Sequence, residues 1–241
     1  REAYLHDATG LINNISARLD EVFNVKPRAS MIVKRVEPFR EKSAGKAFYN
    51  QPTPDGSRPG TYYANLYDMA AMPKYQMEAL AYHEGTPGHH MQISIAQELT
   101  SVPEFRTHAF FTSYTEGWAL YAELLSKEMG AYKNDFSDFG RVITEMWRAV
   151  RLVVDTGLHH KRWSRDEAVN FFVERNGSKR QEVESEVDRY CSWPGQACGY
   201  KVGHSEIVRQ RTMAEEKLGD GYDFKSFNDA VILGGNAPLD V

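Results

Sequence analysis

The sequence predicts a mainly α-helical, multi-helix domain with one small β-sheet, and three observations carry that expectation. Apolar residues recur at helical spacing through most of the chain beyond residue 70. Ser164-Arg165-Asp166-Glu167 has the S-x-x-E form of a helix-starting capping box. Two short β-prone runs, Phe48-Tyr49 and residues 61–66, flank a stretch (52–60) dense in Pro, Gly, Asp and Ser.

Taken in order, Leu5, Leu11, Ile12, Ile15, Leu19 and Val22 form an amphipathic stripe that predicts a helix over 5–24. Met31-Ile32-Val33 reads as a short strand, and 48–66 as a β-hairpin. Residues 74–84 are helical by pattern, Gly85, Pro87 and Gly88 interrupt, and helical character resumes at 90–99. Long helices are expected over 105–129 and 138–157, with Val142, Ile143, Met146, Val150, Leu152 and Val153 apolar in the second. The capping box opens a helix at 165–174, and further helices are expected over 179–190, 197–218 and 224–233. No repeat or low-complexity segment interrupts the 241 residues, which are expected to make a single domain.

Hydrophobic residues make up 41% and charged residues 26%, enough apolar surface for a real core. The net charge of −4, with both signs dispersed, argues against a nucleic-acid footprint. No apolar run approaches the roughly 20 residues of a membrane-spanning helix. The chain opens with Arg1 and enters an uncapped apolar stripe, so a preceding N-terminal portion of the same protein is expected. Cys191 and Cys198 lie seven apart across Trp193-Pro194-Gly195, a spacing open to either a disulfide or two free thiols.

The chemistry concentrates in Ala81-Tyr82-His83-Glu84-Gly85-Thr86-Pro87-Gly88-His89-His90. A peptidase zinc needs three protein ligands and one open position for water. In H-E-x-x-H, two histidines one helical turn apart share the ion and the glutamate activates the water. His83-Glu84 supplies the first half, but position 87 is proline. On an unbroken helix His89 would sit about 120° from His83, and His90 about 10 Å along the axis. The helix must therefore be irregular, and Thr86-Pro87-Gly88 offers the means. Looping out two residues delivers His89, the preferred second ligand; looping out three delivers His90, the alternative, which otherwise faces the cleft or supports the ligands. Glu116, followed by the small Gly117, is the preferred third ligand. Glu123, two turns on, is either its replacement or a group orienting a ligand histidine. Gly, Thr, Pro and Gly in a helix cost stability, which itself points to a site.

These segments resemble a bacterial family known as domain of unknown function 885, regarded as gluzincin-like zinc peptidases. The matching pieces are residues 59–66, 83–90, 116–121, 151–159 and 193–203. The resemblance implies His83, His89 and Glu116 as zinc ligands and Glu84 as general base, with His90 the alternative ligand. It implies that residues 61–66 form an edge strand over the active-site helix, able to pair with an extended peptide. Family members are typically more than twice this long, so the chain resembles their C-terminal catalytic half. Many resemble exported or lipid-anchored envelope proteins, which implies a cell-envelope or periplasmic location.

Peptide hydrolysis also needs a donor facing the developing oxyanion. Tyr200, after a Pro-Gly turn, and His159, four residues past Asp155, are the candidates; a half-buried tyrosine and a surface i, i+4 pair are the plain alternatives. Tyr63, Asn65, Arg151 and Gln196 are the expected substrate contacts, with Arg148 and Arg151 open to either a substrate carboxylate or solvent. The sequence thus favours a zinc peptidase acting on peptides. A zinc amidohydrolase of another substrate and a non-catalytic peptide-binding or structural module are the rivals.

Overall fold

A computed structural model describes residues 1–240. The expected class holds: ten α-helices and one three-stranded sheet among those residues. Helix α1 (Glu2–Ser16) packs Tyr4, Ala8, Leu11, Ile12 and Ile15 inward. It stops eight residues short of the expected 24, because the chain tightens into a 3-10 turn at Leu19–Glu21 that still buries Leu19 and Val22. Strands β1 (Met31–Arg35), β2 (Ala47–Asn50) and β3 (Gly60–Ala64) follow.

The sheet order is β1-β3-β2. β2 and β3 form the expected antiparallel hairpin, with Ala47 opposite Ala64 and Asn50 opposite Thr61. β1 pairs with β3 in parallel, Met31 opposite Gly60 and Arg35 opposite Ala64. This corrects the edge-strand expectation for 61–66. β3 is the central strand, its backbone groups are taken on both sides, and no peptide can add to it. Its burial agrees, since Tyr62 and Ala64 are wholly buried and only Tyr63 is partly open.

Helices α2 (Met77–Glu84) and α3 (His89–Glu98) lie under the sheet. The expected helix over 105–129 is two helices, α4 (Glu104–His108) and α5 (Thr112–Glu128), because Ala109 and Phe111 are extended. α6 (Asp135–His159) starts on an Asn134–Ser137 capping box, and α7 (Arg165–Asn176) on the expected Ser164–Glu167 box. α8 (Arg180–Ser192), α9 (Gln196–Leu218) and α10 (Phe224–Leu233) complete the chain.

Two apolar clusters form. The larger joins α1, the sheet, α2, α3, α5 and α10 around Trp118, Tyr62, Tyr82, Tyr121 and Phe23. The smaller joins α6, α7 and α8 around Val154, Phe172, Val183 and Tyr190. α5 and α9 pack closely, because Gly117 meets the backbone of Gly203 and a Cβ on either would strike the other helix. That contact sets α9 beside the helix that carries Glu116. No helix is long and apolar enough to cross a membrane among the described residues. Cys191 and Cys198 are free thiols.

Candidate metal centre

The continuous helix with a two-residue bulge is replaced by a full break. α2 ends at Glu84, residues 85–88 form a turn, and α3 restarts at His89. The amide of Gly85 donates to Ala81 O (2.8 Å), and that of His90 donates to Gly85 O (3.1 Å), so the turn folds back on the end of α2. The Thr86–Pro87 peptide is cis. Only glycine fits at 88, where a Cβ would fall on the carbonyl oxygens of Tyr82 and His83. The buried Trp118 indole on α5 donates to Pro87 O at 2.9 Å and ties the turn to the helix opposite.

The turn sets His83, the penultimate residue of one helix, beside His89, the first of the next. Their rings sit 4.8 Å apart and nearly perpendicular at 83°. Glu116 reaches between them, with Oε2 3.5 Å from His83 Nε2 and 3.3 Å from His89 Nε2. Donor atoms of the three side chains lie within 4.8 Å of one another. Two ligand atoms on a tetrahedral zinc at about 2.05 Å would be roughly 3.3 Å apart, so both Glu116 distances suit a shared ion.

The partners of these groups fit that use. His83 Nδ1 faces Glu123 Oε1 at 2.8 Å, which leaves Nε2 to face the shared point. Glu123 Oε2 in turn accepts from Thr144 Oγ1 at 3.1 Å. Glu123 therefore stands behind His83, outside the cluster of His83, His89 and Glu116, in the place of an orienting carboxylate. Glu116 Oε2 and His89 Nδ1 are buried without a hydrogen-bond partner among the described residues. An unpartnered carboxylate oxygen between two imidazoles is what a cation would satisfy.

The electrostatics agree. Burial opposes a charge on His83, but Glu116 and Glu123 outweigh it and hold the ring up at about 9, so without a metal a proton supplies the cation. Burial also opposes ionisation of Glu116, yet the two imidazoles hold its carboxyl well below the usual range. Glu84, 6% exposed, behaves oppositely: burial pushes it up, with His89 and His83 drawing it down and Glu116 adding to the rise. A carboxyl poised upward beside a cation site suits proton transfer.

The remaining candidates divide. His90 is not in the cluster; its Nδ1 faces Tyr49 Oη (2.9 Å) and its Nε2 faces Ala29 O (3.1 Å), pinning the helix start to the sheet. Burial pushes His90 down to about 4, so it stays neutral. Tyr200 does reach the centre, its ring stacked on His83 at 6.4 Å and 15°. Its hydroxyl accepts from Gln196 Nε2 (3.2 Å) and Arg189 Nη2 (3.4 Å), which leaves its own proton free to donate. Gln196 thus positions Tyr200.

The other expected roles are corrected. His159 is exposed and its Nε2 faces Tyr190 O at 2.9 Å. It lies eleven residues along α6 from Arg148, about 16 Å, and does not join the centre. Asp155 accepts from the Gly195 amide (3.1 Å) at the start of α9 instead of orienting His159. Asn65 spends its amide on Glu41 O (2.8 Å) and Ala44 O (2.9 Å), so it holds a loop, not a substrate. Tyr63 stacks on Phe48 at 5.0 Å beneath the Arg40 guanidinium. Arg151 is buried against Glu186 (2.6 Å) and Tyr190 Oη (2.8 Å), with its guanidinium 4.6 Å from the Tyr200 ring. It supports Tyr200 from behind. The one group the sequence left undecided that the fold brings in is Arg148, whose charge draws down both His83 and Glu84.

A family model described as "Bacterial protein of unknown function (DUF885)" matches residues 1–241. The chain belongs to the DUF885 family. Two solved structures share its fold. One, "the putative lipoprotein from Colwellia psychrerythraea", is 44% identical with a TM-score of 0.97, and the match covers 100% of this chain and 41% of that one. The other, "a putative lipoprotein of unknown function from Shewanella oneidensis", is 19% identical with a TM-score of 0.84, over 100% and 45% of the two chains. This DUF885 chain therefore spans less than half the length of both. No curated protein matches it.

Proposed function

We propose that this DUF885 chain carries the centre of a gluzincin-like, zinc-dependent peptidase. The observation that carries the reading is the buried, unpartnered Glu116 Oε2 set between His83 Nε2 and His89 Nε2, with the pKa-raised Glu84 adjoining. A zinc held by His83, His89 and Glu116 would polarise a substrate carbonyl and acidify a water in its open position. Glu84 would take a proton from the attacking water as the water oxygen bonds to the carbonyl carbon, and pass it to the amide nitrogen as the C–N bond breaks. The remaining hydroxyl proton would follow to the amine, so that a carboxylate and an ammonium leave. Tyr200, whose hydroxyl accepts from Gln196 and Arg189 and keeps its own proton, would be the donor to the developing oxyanion.

Extended peptide would find a free edge on β2, not β3. β2 packs against α2, and its Tyr49 holds His90 next to His89. The two related structures are described as putative lipoproteins, which supports a cell-envelope setting for the whole protein.

The test uses the natural full-length protein. Metal analysis should find one zinc per chain, and the loaded protein should hydrolyse a mixed peptide digest, read by mass spectrometry. Glu84→Gln should keep the zinc and lose about 10²- to 10⁴-fold in rate. Equal rates in the variant would remove Glu84 as the base. Zinc retained with no hydrolysis in either protein would favour the non-catalytic module, and turnover of only non-peptide amides would favour an amidohydrolase.

A further inference from the structure

Three guanidinium groups gather around Tyr200, and two have their charges answered. Arg151 pairs with Glu186 at 2.6 Å, and Arg189 donates to Gln196 Oε1 at 2.7 Å with Glu186 at 3.5 Å. Arg148 is the exception. Its side chain is only 12% exposed, and its one hydrogen bond is from Nη1 to the backbone carbonyl of Thr144 at 3.1 Å. Its nearest carboxylate, Glu123 Oε1, stands 3.9 Å away and is already engaged by His83 Nδ1 at 2.8 Å. Arg148 Nε is buried with no partner among the described residues, as is Arg151 Nη1, so what sets Arg148 apart is the carboxylate it does not have to itself. A mostly buried guanidinium with no carboxylate of its own is costly, and a ligand carboxylate is the group that best answers its fork geometry.

The placement says which carboxylate. The Arg148 guanidinium is 5.8 Å from the Tyr200 ring centre, and that ring is 6.4 Å from the ring of His83. An extended peptide advances about 3.5 Å per residue. Arg148 Nη2 is 3.9 Å from Glu123 Oε1, which is itself 2.8 Å from His83 Nδ1, so the guanidinium stands within about two residues' length of a candidate ligand. A carboxylate at Arg148 therefore belongs within about two residues of a peptide bond held at the zinc site. We propose that Arg148 docks the free C-terminal carboxylate of a peptide substrate, which makes this a centre that trims chains from their C-terminal end. The inference rests on the peptidase reading for the word "trims", but the docking itself does not. Arg151, spent on Glu186, is not the anchor.

The docking is tested on the Glu84→Gln full-length protein loaded with zinc, so that nothing is cleaved. N-acetyl-Ala-Ala-Phe is titrated as the free acid and as the C-terminal amide, by calorimetry. The free acid should bind at least tenfold more tightly, and adding Arg148→Gln should remove that difference. Should the Gln variant fail to fold, by melting and zinc content, Arg148→Lys replaces it; losing the fork should cut the preference at least threefold. Equal binding of acid and amide overturns the proposal. So does an acid preference that survives the Arg148 substitution, because the carboxylate would then sit on the zinc.

A second measurement separates this role from oxyanion stabilisation. In protein with Glu84 intact, Arg148→Gln should raise KM for the free acid alone and leave kcat within about threefold. A matched fall in kcat for acid and amide would make Arg148 an oxyanion donor and overturn docking. Absence of any hydrolysis would sink the peptidase reading while the binding result still decides the docking.

Discussion

Two buried ionic clusters meet at Tyr200, and they differ in whether the central carboxylate is closed off by partners. On the α6–α8 side, Glu186 has its partners: Arg151 donates to it and to Tyr190, and Tyr190 Oη donates to Glu186 at 2.9 Å, which leaves only Arg151 Nη1 spare in that cluster. On the α2–α3–α5 side, Glu116, Glu123 and Glu84 face two imidazoles, and Glu116 Oε2 and His89 Nδ1 are left without partners. In the first cluster the carboxylate is finished, part of an ion pair of the kind that fixes an interface between helices. In the second a buried carboxylate oxygen, Glu116 Oε2, has no hydrogen-bond partner among the described residues. Burial and perturbed pKa values occur in both, so neither marks a site by itself. An unanswered buried carboxylate oxygen does.

The comparison breaks most sharply at the ligands. His83→Ala removes one of three donors and leaves Glu116 and Glu123 facing a gap. Zinc should no longer survive dialysis against a chelator, a loss on the order of 3 kcal/mol or more if each ligand carries its share of a typical binding energy. The fold should persist by circular dichroism, because the larger core surrounds the site without depending on it. Zinc retained at wild-type affinity would sink the ligand set.

The finished cluster should respond in the opposite currency, stability without metal. Glu186→Ala strands the buried Arg151 guanidinium and should cost about 3–5 kcal/mol in denaturant unfolding, with zinc content unchanged. The pH dependence follows. Burial opposes the Glu186 charge, but Arg151 and Arg189 outweigh it and hold the carboxyl down to about 2, from an ordinary 4.5. A depressed pKa means the folded carboxylate is favoured, so this stabilisation is complete above pH 4.5 and is lost as pH falls toward 2. The shift corresponds to about 3 kcal/mol. Stability that is flat between pH 5 and 2.5 in the wild type, or equally steep in the Glu186→Ala variant, would show that the pair does not hold these helices.

The sequence exposed the open cluster better than the closed one, and the reason is range. His83, Glu84 and His89 fall within seven consecutive positions, and the Pro and Gly between them announce a broken helix. The Ser164–Glu167 box and the 224–233 helix are equally local. Glu116 and Glu123 needed only the chemistry of a third ligand and a helper, two turns apart. By contrast, Arg151 meets Glu186 across 35 residues and His159 meets Tyr190 across 31. Local spacing offered Asp155 as the partner of His159, and tertiary packing gave each residue another. The same holds for β3, which became central because β1, about 30 residues upstream, pairs in parallel with it. A parallel partner leaves no turn signature in the sequence.

Glu123 tests the shell between the clusters. Glu123→Gln keeps the shape and the Thr144 contact but weakens the acceptor for His83 Nδ1–H. Zinc affinity should fall 10- to 100-fold, as for other outer-shell carboxylates, with global stability little changed. If the variant instead lost stability and kept its zinc affinity, Glu123 would belong with the structural pairs.

The smallest effect concerns the turn itself. Trp118→Phe keeps the buried aromatic volume and deletes the indole donor to Pro87 O, leaving a buried carbonyl unmet at a cost of about 1–3 kcal/mol. In a chain of this size each 1 kcal/mol lowers Tm by roughly 2–4 °C. Because Pro87 stands two residues before His89, the loosened turn should also weaken zinc binding a few-fold, so stability and metal affinity should fall together. That joint fall distinguishes it from Glu186→Ala, which moves stability alone, and from Glu123→Gln, which moves affinity alone. A Trp118→Phe protein that melts lower yet holds zinc as before would show that the close approach of Gly88 to the end of α2 fixes His89 unaided.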